Sequence, residues 1–143
     1  PNYTMQTSGC TIAPANDAPV IAYMRREHIQ YAWASGWVGN PITFATNGAL
    51  VVIDPRWALN PASNRIPAYT TAMLHAVRPG VLLLAPHDDA HPVLLQRFDQ
   101  EHITYTVARF PSEPGVDLLV ITPLNRTVAP SDGNDLGAGF GGC

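Results

Sequence analysis

Apolar residues come along this chain in short blocks, each bounded by Pro, Gly, Asn or Asp. The clearest block is Gly-Val-Leu-Leu-Leu-Ala-Pro at residues 80–86. An unbroken run of this length between turn formers reads as a strand buried on both faces, the centre of an α/β sheet. The polar segment His87-Asp88-Asp89-Ala90-His91 follows at once, and Pro92 then opens an amphipathic stretch. Strand, polar turn and helix in that order is where an α/β protein places its chemistry.

The other blocks fall around this one. A helix is predicted over residues 18–28, capped by Asp17, with Pro19 in its first turn and Val20, Ile21, Met24 and His28 on one face. Residues 29–35 read as a strand, broken by Gly36-Trp37-Val38-Gly39-Asn40. A short helical turn from Pro41 ends near Gly48, and residues 49–53 form a second buried strand stopped by Asp54-Pro55. After a loop over residues 56–66, Pro67 opens a helix with Tyr69, Met73, Leu74 and Val77 facing inward. Residues 92–102 form the next helix, with Val93, Leu94, Leu95 and Phe98 as its apolar face. Residues 104–110 alternate as a strand with one exposed face, residues 111–115 turn, and residues 116–122 return antiparallel. Strands alternating with helices predict an α/β fold, a mainly parallel sheet with helices on both faces and a final β-hairpin. No internal repeat emerges.

Both ends differ from this pattern. Residues 1–16 are rich in Thr, Ser, Asn and Pro, and residues 124–143 are polar, then glycine-rich. They read as extended arms on a domain spanning residues 17–123. Each arm carries one of the two cysteines, Cys10 and Cys143. A disulfide between them would close a long loop and stabilise by about 4–5 kcal/mol in the chain-entropy model; a bond between subunits is the rival reading. Two sequons, at Asn2 and Asn125, fit an extracytoplasmic location, secreted or at the cell surface. The chain starts at Pro1 and not at Met, so it is expected to be a processed or excised piece.

Composition narrows the partners. The 143 residues are 46% hydrophobic, enough for a core, and carry a net charge of −3 with only 13% charged residues. Lysine is absent, and the eight basic residues are all Arg without a cluster, so nucleic acid is not an expected partner. No apolar run approaches the roughly 18–20 residues that cross a bilayer, so no membrane insertion is expected.

Three groupings carry candidate chemistry. His87, Asp88, Asp89 and His91 could hold a divalent metal for hydrolysis, or the two acids could cap the following helix. Trp37 and Trp57, in loops flanked by Gly and Pro, are candidates for stacking on a sugar ring or a partner, whereas Trp33 reads as core. Asp54 could share an edge with Asp88 or simply stop its strand. There is no Gly-x-Ser-x-Gly elbow, no phosphate loop and no strand-linked Gly-x-Gly-x-x-Gly, and no cofactor is implied.

Some of these segments also carry a family pattern. They are Tyr31-Ala32-Trp33-Ala34-Ser35-Gly36-Trp37, then residues 41–48 (Pro-Ile-Thr-Phe-Ala-Thr-Asn-Gly), then Asn64-Arg65-Ile66-Pro67-Ala68-Tyr69, and the closing βαββ unit. With them, residues 20–122 resemble the soluble C-terminal domain of bacterial membrane glycosyltransferases of the polytopic GT-C type, similar to dolichyl-phosphate-mannose mannosyltransferases. The resemblance implies an extracytoplasmic module without catalysis of its own, since that family's catalytic carboxylate lies between membrane helices. It implies binding or scaffolding towards a glycan or lipid-linked sugar, with Trp37, Trp57, Asn64 and Arg65 lining the contact surface. The arms depart from the family pattern, and they suggest an alternative: a self-assembling subunit that joins copies of itself. A small metal-dependent hydrolase is the third reading.

Overall fold

A computed structural model of the chain describes residues 16–55 and 66–128. Among these, helices α1 (Ala18–Arg26), α2 (Gly36–Ala45), α3 (Pro67–His75) and α4 (Val93–Gln100) alternate with strands β1 (Tyr31–Trp33), β2 (Val51–Ile53) and β3 (Gly80–Pro86). Strands β4 (Tyr105–Glu113) and β5 (Val116–Pro123) follow. The strands form one sheet in the order β2-β1-β3-β5-β4. β1 lies parallel to both β2 and β3, and β5 is antiparallel to both β3 and β4. Four strands therefore point the same way, and β5 alone is reversed.

The predicted α/β class, two-faced helix packing and final hairpin are all present. Val20 and Met24 of α1 and Ile42 of α2 pack with Ala32, Val52, Leu82, Leu118 and Val120 on one face. Met73 of α3 and Leu94, Leu95 and Phe98 of α4 pack with Trp33, Val81, Leu83, Leu119 and Ile121 on the other. Adjacent strand residues serve opposite faces, which is why β3 needs no polar position. The hairpin turns on Pro114-Gly115 alone, with Gly115 at φ +79°, and Glu113 faces Val116. Pro followed by a positive-φ Gly is the type II arrangement.

Several boundaries differ from expectation, each for a local reason. Gly36–Asn40, expected as a break, is the first half of α2. The Asp54 carboxylate accepts the Gly36 N–H at 3.0 Å and so caps the helix from across the sheet. Gly39 is needed because a Cβ there would stand 2.7 Å from the Val52 carbonyl oxygen. Leu74, Val77 and Val93, expected inside, are exposed, because α3 and α4 each bury a narrower stripe. Asp17 sits at the start of α1 without capping it through its side chain; Asn16 Oδ1 accepts the Ala18 N–H instead. Residues 124–128, expected to begin an arm, are tied to the domain: Val128 is buried, and Asn125 bonds to the backbone at both Thr104 and His102.

A short repeat escaped the sequence reading. Glu-His-Ile-x-Tyr-x-x-Ala occurs at residues 27–34 and again at 101–108. Both copies end a helix and start a strand in the same way. The N–H of Ile29 reaches Met24 O and that of His28 reaches Arg25 O; Ile103 and His102 repeat this with Phe98 and Asp99. This is the Schellman closure, with His at the left-handed position, φ +58° in both copies. Asn47 (φ +51°) and Arg78 (φ +50°) stand at the other two helix-to-strand junctions.

Candidate functional site

The common strand direction brings the ends of β1, β2, β3 and β4 to one edge of the sheet. Ser35, Gly36 and Trp37 arrive there from β1, Asp54 from β2 and His87–Asp89 from β3. The start of β5 adds Asp117. Asp54 and Asp88 do reach the same edge, but Asp54 is buried and holds the α2 N-terminus, so its carboxylate is structural.

The polar segment after β3 does not gather around a point. His87 Nδ1 lies 2.9 Å from Asp117 Oδ2, while His91 Nε2 lies 2.7 Å from Asp99 Oδ2. Asp89 Oδ1 accepts the His91 N–H at 3.1 Å and tightens the loop, and Asp88 points to solvent. Among the described residues no three His, Cys, Asp or Glu side chains converge as a metal site would require. The capping reading of Asp88 and Asp89 does not hold either: α4 starts at Val93 with Pro92 at its N-cap and no acid in its first turn.

Asp117 is instead the centre of a compact ionic group that the sequence reading missed. Its side chain is only 6% exposed and accepts from both His87 Nδ1 and Arg109 Nη1, the latter at 3.2 Å. Arg109 also donates through Nη2 to the Asp89 carbonyl, and the His87 N–H donates to Gly115 O at 2.8 Å. The group thus ties the β3–α4 loop to the hairpin tip. Burial alone would push the Asp117 carboxyl up; the hydrogen bonds and charges of His87 and Arg109 outweigh it and hold the carboxyl below its ordinary value. The His87 side chain is 77% exposed. When His87 is neutral, the bond to Asp117 places its proton on Nδ1 and leaves Nε2 as the basic nitrogen, facing outward. A separate group forms at the other end of β4, where Tyr105 Oη donates to Asp99 Oδ1 at 3.1 Å. Burial, then that bond and the Asp99 charge, raise the Tyr105 phenol.

Of the aromatic candidates, Trp33 is core and Trp37 lies on the surface, 52% exposed, on a helix and not in a loop. Phe44, seven residues on and 87% exposed, shares its side of α2 with Pro41 and was not anticipated. Reading α2 from Gly36 would have revealed it, because Trp37, Pro41 and Phe44 then fall on one face. No residue of α2 is charged. Trp57, Asn64, Arg65, Cys10, Cys143 and Asn2 lie outside the described residues. Asn125 is described, and its amide is engaged at both ends: Oδ1 accepts the Thr104 N–H and Nδ2 donates to His102 O.

No helix among the described residues is long and apolar enough to cross a membrane. Comparison with protein-family models, with characterised proteins and with solved structures finds no match to this chain.

Proposed function

We propose that this chain is an extracytoplasmic binding module, related to the C-terminal domain of GT-C membrane glycosyltransferases, that contacts a glycan or lipid-linked sugar without catalysing a reaction. The observation that carries this reading is the outer face of α2. Trp37, Pro41 and Phe44 stand exposed on a helix with no charged residue. A helix on a folded domain normally turns charged and polar residues to solvent. Rings seven residues apart on a helix are about 10 Å apart along its axis, a spacing that lets two rings stack on alternate sugar units of an extended glycan.

The test is calorimetric titration of the full chain with soluble manno-oligosaccharides and with a water-soluble polyprenyl-phosphate-mannose analogue. Saturable binding is expected, weakened about tenfold, or ~1.4 kcal/mol, in Trp37→Ala and in Phe44→Ala. No heat with either probe, or equal affinity in the variants, overturns the reading.

A further inference from the structure

The two edges of the sheet are finished differently. At β2, the Val52 N–H and C=O point away from β1, and Thr43 of α2 closes both: its Oγ1 accepts the N–H at 2.9 Å and donates to the carbonyl at 3.1 Å. At β4 no side chain among the described residues does this. The direction of its backbone groups follows from two bonds. The Leu124 N–H donates to Thr104 O, and the His87 N–H donates to Gly115 O. With the register of β3, β5 and β4, these assign the even-numbered residues of β4 to bonds with β5. The N–H and C=O groups of Tyr105, Val107 and Arg109 therefore point outward. Pro111, which has no N–H, and the irregularity between Pro111 and Glu113 end this open stretch on one side.

We propose that the β4 edge pairs antiparallel with β4 of a second copy of this chain, across a two-fold axis at Val107, to make one continuous ten-stranded sheet. The open stretch is self-complementary in this register. Val107 faces Val107, and Tyr105 of each copy faces Arg109 of the other. These are the outward-pointing residues, so every pairing exchanges both backbone bonds. On the opposite face Thr106 meets Ala108. No like charges stand opposite each other, and the pairing places the Tyr105 ring beside the aliphatic stem of Arg109. Val107, exposed in the single chain, becomes the centre of the contact. This proposal does not depend on sugar binding, nor on the cysteines.

The experiment is sedimentation of the full chain with reductant present, from low to high micromolar concentration, with amide hydrogen exchange at both ends of that range. A reversible monomer–dimer equilibrium is expected. Val107→Asp, which sets two carboxylates face to face at an exposed site, weakens it at least about tenfold while leaving the melting temperature of the monomer unchanged. In exchange, the amides of Tyr105, Val107 and Arg109 gain protection with concentration, whereas those of Thr106 and Ala108 are protected throughout by β5. A monomer at every concentration overturns the proposal. So does a dimer indifferent to Val107→Asp, and so does protection of the outward amides in the monomer, which would mean that another part of the same chain covers the edge.

Discussion

At His28 and His102 the backbone takes a left-handed turn that only glycine adopts without cost. For an L-residue with a Cβ this costs about 1–2 kcal/mol, and glycine gives back roughly 0.5–1 kcal/mol of that in unfolded-state entropy. His28→Gly and His102→Gly are each expected to stabilise the fold by about 0.5–1 kcal/mol, measured by urea unfolding, and the two gains should add because the sites lie in separate helix-to-strand units. Asp117 sets a different residue-level expectation. Its folded pKa lies below the ordinary 3.8, so its stabilising contribution is fully present above that value and is lost as pH falls through the folded value. In acid titrations followed by circular dichroism, Asp117→Asn should be less stable than the parent at pH 6, and the difference should shrink below pH 3.8. Arg109 was not legible as Asp117's partner from the turn alone. A two-residue turn at Pro114-Gly115 by itself would set Ser112 opposite Asp117; the irregularity between Pro111 and Glu113 puts Pro111 there instead and brings Arg109 diagonally next to Asp117. Nothing in the local sequence marks that extra residue, and the broader turn expected at residues 111–115 covered it.

Among the elements, β3 and the α1 and α4 faces were plain in the pattern, because each combines one period with clear terminators. α2 was not, because its first five residues contain two glycines and its sixth is Pro41, which together look like a loop. Its helical state comes from outside the helix: the Asp54 cap, the close seat of Gly39 on Val52 and the two bonds of Thr43. None of these is visible within the segment itself. Thr43→Val keeps the shape and removes both bonds, leaving the Val52 N–H and C=O open at the sheet edge. It is expected to cost about 1–3 kcal/mol in thermal or urea unfolding and to raise aggregation. A stability within error of the parent would show that water replaces the hydroxyl at no cost. The same argument explains why the candidate metal cluster read so well and assembled so poorly. The two histidines were drawn to partners on other elements, Asp117 and Asp99, that local spacing does not reveal, while Asp89 turned to the loop backbone and Asp88 to solvent.

For the molecule as a whole, alternation of apolar blocks and amphipathic stretches was sufficient to indicate an α/β domain with helices on both faces. It did not indicate the sheet order, because the position of β5 depends on register and not on composition. Among the described strands β5 alone is reversed and comes last in sequence, and it sits between β3 and β4. This has a consequence for how the domain is made. As the chain is synthesised, β3 emerges long before its neighbour on that side exists. β4 then emerges with nothing to pair with, since its only contact within the sheet is β5. Both strands must wait with open backbone until residue 123 is available, and β5 then enters the gap between them and joins both sides at once. Such late, long-range closure is slow, and it leaves nascent chains exposed to wrong pairings with one another.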